Sequence, residues 1–222
     1  MRTIGRSPLL FASLIVLFFI TISNSRADII LQPGPIGGQD TWVGNLSPDQ
    51  NHGNDDNLYF GANVTLGEEI HLYIRFDFSE VPTGTIITDA RLEFFMWGQN
   101  GWMSYIYGVF PVQETWDEQT ITWNNLPSAT TDSETTFDGA EWQGMWDKWQ
   151  MVPGLAGLVQ SWVDNPNNNH GMLIRPISDF YGMPYLLSSD TEQAGLQPRM
   201  ILEIGPVATE VPTWDQVKAL YR

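Results

Sequence analysis

The sequence predicts an all-β protein: an antiparallel β-sandwich of jelly-roll type with one short packed helix and an appended C-terminal helix. Three observations predict it. Short runs rich in Val, Ile, Leu, Phe, Tyr and Trp alternate between apolar and polar positions, the period of a half-buried strand. Gly, Pro, Asn and Asp divide those runs at close intervals, as the turns of a sandwich require. No repeat of about 20 to 50 residues is visible, which argues against solenoids and propellers.

Residues 1–27 stand apart from this pattern. Arg2 and Arg6 give a positive start, Leu9 to Ile22 a nearly unbroken apolar stretch, and Ser25-Arg26-Ala27 a small-residue cleavage site, so a secretory signal peptide is expected. The apolar run of 14 residues is shorter than the ~20 a membrane-spanning helix needs. No later segment is long enough either, so no transmembrane segment is expected after cleavage. The sandwich is expected over 28–205, and a linker with a short helix over 206–222.

Within the sandwich, His71 to Phe78 sets Leu72, Ile74, Phe76 and Phe78 on one face and Tyr73, Arg75 and Asp77 on the other. Val81-Pro82-Thr83-Gly84 turns the chain. Ile86 to Trp97 is a strand, and Gly98-Gln99-Asn100-Gly101 is expected to join it to Trp102 to Phe110 as a hairpin. Further strands are expected at Thr120 to Trp123, Gly171 to Arg175, Pro184 to Ser189 and Arg199 to Ile204. Pro153 to Val163 breaks the pattern: Leu155, Leu158, Val159 and Trp162 fall at helical spacing between Pro153 and Asn165-Pro166, which predicts a short helix packed on the sandwich. Asn165 to His170 reads as a polar loop. At the C-terminus, Thr213-Trp-Asp-Gln216 fits a capping box ahead of the apolar stripe Val217, Leu220, Tyr221.

Composition narrows the function. The chain has 26 Asp or Glu against 10 Lys or Arg, a formal charge of -16. Removing the leader deletes three Arg and no acid, leaving seven cations and about -19. Scattered cations cannot build the basic face that nucleic acid needs, so no nucleic-acid partner is expected. With no cysteine, disulfides, thiolate metal sites and cysteine nucleophiles are excluded together. His52, His71 and His170 have no His partner at metal-binding spacing. No Gly-x-Ser-x-Gly elbow or phosphate-binding glycine loop occurs.

Three kinds of residue remain as candidates. Glu114, Asp117 and Glu118 lie close enough in sequence to suggest the carboxylate pair of a glycosidase, but they share one turn, where Glu118 is expected to accept backbone N–H groups that fix the corner before Thr120 to Trp123. Asp49, Asn51, Asn54, Asp55, Asp56 and Asn57 gather hard oxygen ligands in one loop. Asp49, Asn51, Asp55 and Asp56 are the candidate set for a structural calcium; the other reading is a solvated turn-rich loop. The position eleven after Asp49 is Phe60, so the stretch is not an EF-hand. Aromatics are the third kind, because sugar C–H faces stack on Trp and Tyr rings while hydroxyls bond polar groups. Phe95, Trp97, Trp102, Tyr105, Tyr107 and Trp146 are the candidate carbohydrate contacts, with Trp142 and Trp149 beside the last. If Leu92, Phe94 and Met96 face the core, then Glu93, Phe95 and Trp97 face outward or under a loop. Trp123 and Trp162 read as packing residues.

Several segments resemble a known family. Asp55 to Gly61, then Leu72 to Phe78 with Val81-Pro82-Thr83-Gly84 and Ala90-Arg91-Leu92, resembles the front half of the DNRLRE domain, also classed as carbohydrate-binding module family 96. Trp116-Asp117-Glu118-Gln119-Thr120-Ile121-Thr122-Trp123-Asn124-Asn125-Leu126-Pro127 is similar to that family's most diagnostic run. Leu158 to Trp162, Asn169 to Ile174, Ser188-Ser189-Asp190 and Gln197 to Ile201 follow in the family's order. One departure lies at Val152 to Ala156, where the family has Asp-Val-Thr. The resemblance implies a secreted β-sandwich that recognises glycans or serves as a spacer. Alginate binding is associated with the family, yet a polyanion needs basic side chains that are scarce here. The expected function is therefore a secreted, non-catalytic module that binds a polysaccharide or surface glycan or acts as a cell-surface structural piece. The alternatives are a polysaccharide lyase or hydrolase of β architecture and a passive adhesion or matrix protein.

Overall fold

The computed structural model describes residues 27–102, 106–178 and 181–205. Except for the backbone of Ala27, the expected leader lies outside these residues, as do Tyr105 and the C-terminal helix expected over 213–222. Among the described residues no helix is long and apolar enough to cross a membrane.

The described residues form twelve strands and one α-helix, in order: β1 (Ala27–Leu31), β2 (Gln39–Gly44), β3 (Asn57–Tyr59), β4 (Gly61–Asn63), β5 (Glu68–Arg75), β6 (Ile87–Gly101), β7 (Ile106–Pro111), β8 (Thr135–Asp138), β9 (Lys148–Val152), α1 (Ala156–Asp164), β10 (Met172–Pro176), β11 (Tyr181–Leu187) and β12 (Arg199–Ile204). All pairings are antiparallel. One layer runs β1-β12-β6-β11, with β9 on β6 and β3 on β11. The other runs β2-β5-β10-β7-β8. β4 pairs with both β11 and β5 and stitches the layers together. The fold is thus an all-β sandwich.

Alternation builds the core as the sequence predicts. Leu72, Ile74 and Phe76 of one layer meet Leu92, Phe94, Met96, Leu186, Met200 and Leu202 of the other, all buried. At ~25 cal/mol per Å² of apolar surface removed from water, this interior is the main stabilising term. Helix α1 buries Leu158, Val159 and Trp162 against the same cluster. Its start is held by the Leu155 N–H donating to the Ala90 carbonyl at 3.1 Å.

Two expected elements are not formed. Gly98 to Gly101 makes no hairpin: it continues β6, and β6 and β7 lie in different layers. Pairing of Gly98 to Gly101 with β11 outweighs their turn chemistry. Thr120 to Trp123 is a turn leading into a single 3₁₀ turn at Trp123–Asn125, not a strand. The Asn125 side chain fixes it, accepting the Thr122 N–H at 2.6 Å and donating to the Thr120 carbonyl at 3.0 Å. The Asn-rich loop also packs more than its polarity suggested, since Asn169 Nδ2 donates to the Phe76 carbonyl at 2.7 Å.

Candidate functional site

The outer faces of the two layers differ. On the β2-β5-β10-β7 side, Val43, Tyr73, Phe110 and Leu173 are buried with Val112 and Ile121 beneath Trp116, Trp123 and Leu126. The Trp116–Pro127 motif is therefore a roof over that layer. The opposite face, formed by β6 with β9, β11 and β3, carries exposed rings.

Register places those rings. Leu186 pairs with Met96 and Tyr185 with Gly98, so β6 has one extra residue, Trp97, at a bulge. Met96 stays in the core, while the Trp97 indole emerges 42 % exposed. Its Nε1–H donates to Asn57 Oδ1 of β3 at 2.8 Å. Trp97 lies 5.1 Å from the Tyr185 ring, Tyr185 5.3 Å from Tyr59, and Tyr59 5.2 Å from Trp42, which stacks on His52 at 3.4 Å. Four strands thus contribute to one aromatic ladder running over the sandwich edge. Its edge-to-face and tilted geometries suit aromatic quadrupoles.

On the other side of Trp97, Phe95 pairs with Trp149 across β6 and β9, ring to ring at 5.8 Å. The Arg199 guanidinium covers Trp149 at 3.8 Å. Arg199 and Arg91 both bond Glu93, at 2.7 and 3.0 Å, and Arg91 also reaches Glu203 at 3.6 Å. Trp146, 57 % exposed, joins the group through Gln99, whose Oε1 accepts the Gly144 N–H at 2.8 Å and the Trp146 Nε1–H at 3.4 Å. Its loop turns through left-handed backbone at Gly144 and Asp147, a conformation Asp tolerates better than most residues.

Of the expected contacts, Phe95, Trp97 and Trp146 come together on this face. Trp102 follows the end of β6, 75 % exposed. Tyr107 does not belong to a surface site: it is fully buried, its ring 4.7 Å from Phe60 and 5.3 Å from Phe137. Sequence reasoning missed Tyr59, Tyr185, Trp42, Asn57 and Gln99. Tyr59 and Tyr185 meet through the pairing of β3 with β11, far apart in the chain, while Asn57 bonds Trp97 across 40 residues and Gln99 bonds Trp146 across 47, and local spacing carries no sign of that.

The carboxylates of the motif serve backbone groups. Glu114 accepts the Ser128 N–H, Asp117 the Gln119 N–H at 2.8 Å and Glu118 the Asp40 N–H at 3.0 Å. Glu118 therefore ties the motif to β2, and Asp117 fixes the corner assigned to Glu118 from sequence. Shallow clefts of about 450 and 420 Å³ border these acids. Burial, with the charge of Asp190 and Asp117 behind it, holds Glu118 above the usual carboxylate range despite its hydrogen bonds.

The proposed calcium loop is committed largely to protein donors. Asp49 Oδ1 accepts from Asn124 at 2.7 Å. Asn51 Nδ2 donates to the Glu118 and Ile121 carbonyls at 2.6 and 2.8 Å. Asp55 Oδ2 accepts the Trp42 indole N–H at 3.2 Å and lies 2.8 Å from His52 Nδ1. Asp56 is exposed. Among the described residues no three His, Asp or Glu side chains are grouped to hold a metal ion.

No curated protein matches the chain. A family model does, over residues 36–174, which span β2 to the middle of β10 and include both the Asn51 loop and the Trp116–Pro127 roof. That match covers well over half of the sequence: the chain belongs to carbohydrate-binding module family 96.

Proposed function

We propose that the protein is an exported, non-catalytic module that holds a polysaccharide or surface glycan on the outer face of β6, β9, β11 and β3. The observation that carries this reading is Trp97. A large indole 42 % exposed to water is held at a bulge with its one polar atom already bonded to Asn57. Its orientation is fixed before any ligand arrives, so a sugar face stacking there meets an ordered surface and loses less entropy on binding. Trp146 and the Tyr185–Tyr59 pair extend the same surface to either side. The leader expected at 1–27 agrees with export, and the motif carboxylates, each bonded to a backbone N–H, agree with a non-catalytic role.

Affinity electrophoresis in gels containing soluble polysaccharides tests the reading. Retardation of the native protein that falls about tenfold or more in Trp97→Ala, with an unchanged circular-dichroism spectrum, is the expected result; tenfold corresponds to about 1.4 kcal/mol. Retardation that survives in both Trp97→Ala and Trp146→Ala would move the site elsewhere. Release of reducing ends from the retarding polysaccharide would make the protein an enzyme.

A further inference from the structure

Resting on that reading, we infer that the aromatic face selects uncharged polysaccharides and turns away uronate-bearing ones. The first ground is how the cations are used. Among the described residues, Arg91 and Arg199 are the guanidinium groups on this face, and Glu93 holds both while Glu203 takes a second contact from Arg91. Arg199 is further committed to the Trp149 ring. Two cations and two carboxylates cancel, so among the described residues of this face neither guanidinium brings an uncompensated positive charge to a sugar carboxylate. Among the described residues, Lys148 is the further cation at the rim, exposed and next in sequence to Asp147.

The second ground is the sign of the opposite rim. Asp55 and Asp56 are exposed immediately before Asn57, the residue that bonds Trp97. Asp190 lies within their field: burial first, then the charges of Asp56 and Asp55, raise its carboxyl above the usual range. A polyuronate laid along the ladder would bring a line of negative charges against this group, well within the ~10 Å screening length of 0.1 M salt.

The third ground is what the face offers instead. Trp97 and Trp146 have their N–H groups bonded inside the protein, so they present ring faces. Tyr59 keeps its phenol proton, its pKa raised by burial and then by Tyr185 and Asp55. Ring faces, a neutral phenol and the amides of Asn57 and Gln99 match a ligand of C–H patches and hydroxyls.

The test compares hydroxyethyl cellulose, glucomannan and galactomannan with alginate, polygalacturonate and chitosan in affinity gels at 20 mM and 300 mM NaCl. Native protein and Trp97→Ala are run side by side. The expected result is retardation by at least one neutral polysaccharide, changed less than twofold by salt and lost in Trp97→Ala, with the uronates inert at 20 mM. Asp55→Asn/Asp56→Asn should then give a measurable retardation by alginate at 20 mM NaCl, where the native protein shows none. Trp97-dependent retardation by alginate, polygalacturonate or chitosan stronger than by any neutral polysaccharide overturns the charge selection and leaves the aromatic site standing. Retardation by none of the six, or retardation indifferent to Trp97, overturns the site itself and the selection with it.

Discussion

Asp40 sits on β2, nearly fully buried, and accepts the Ser189 N–H at 3.3 and 3.1 Å through its two oxygens. Burial pushes its carboxyl up to about 7 against the lowering effect of Ser189, and Asp190 and Glu118 add like charge. No Lys or Arg is among the groups that shift it. Because an unfolded Asp ionises near 3.8, the folded chain holds a proton between that pH and about 7 that the unfolded chain has released. Stability therefore falls as pH rises through this window, and the loss is complete above it. A shift of this size is on the order of 4 kcal/mol. Asp40→Asn keeps an oxygen for the Ser189 N–H and removes the ionisation, so its melting temperature should exceed that of the native protein at pH 8 and match it near pH 4. Calorimetry across pH 4–8 checks this; parallel curves for the two proteins would mean that Asp40 stays charged or finds a cation.

At the next scale, the two layers depend on β3 and β4, which pass from β11 to β5 through Gly61. Gly61 has φ +140°, and a Cβ there would collide with the Gly182 carbonyl and approach Met183 Cγ at 2.8 Å. Gly67 on the following turn has φ +66° with open space around it. Left-handed backbone alone costs an L-residue about 1–2 kcal/mol, so Gly67→Ala should lose about that much. Gly61→Ala should lose at least about 3 kcal/mol, since β11 or β4 must also give way. Urea midpoints followed by Trp fluorescence rank the two, and equal losses would show that the Gly61 crossing yields freely. The same junction shows what a sequence can reveal. Strand β12 and the inward trio Leu92, Phe94, Met96 were legible because burial of one face writes a period of two into the residues. Helix α1 was legible by its period of 3.6. The hairpin expected at Gly98 to Gly101 was wrong because β11, eighty residues away, recruits those residues as strand. Thr120 to Trp123 has β-type residues for another reason: they roof Tyr73 and Leu173. On the aromatic face, Phe95 and Trp97 were readable from the alternation of β6 and Trp146 from its Trp-rich segment, while Tyr59 and Tyr185 became neighbours only through long-range pairing. Tyr107 misled because its strand is covered on both faces, which removes the polar alternation that would have marked its inward side.

Across the whole molecule, 26 acidic residues face 10 basic ones, and three of those ten lie within residues 1–27. Such an excess stores self-repulsion in the compact state that the extended chain relieves. Added salt screens it, the Debye length shrinking from about 30 Å at 0.01 M to about 10 Å at 0.1 M. The melting temperature at pH 7.5 should therefore climb by several degrees between 10 and 200 mM NaCl, a domain of this size moving about 2–4 °C per kcal/mol. At pH 4, where many carboxylates are protonated, the climb should shrink. A bound divalent cation would produce a different pattern, because it would neutralise the Asp49 to Asp56 region at any ionic strength and its removal would lower stability outright. Since Asp49, Asn51 and Asp55 already bond Asn124, the Glu118 and Ile121 carbonyls, and Trp42 with His52, melting in excess chelator should superimpose on melting without it at matched ionic strength. A drop of several degrees in chelator, with no salt dependence, would place a metal in that loop and trace the stability of the Trp42 end of the ladder to the ion. Were salt and chelator both without effect, the acids would have to be too dispersed to repel one another, and the same weakness would undercut their power to exclude a polyuronate.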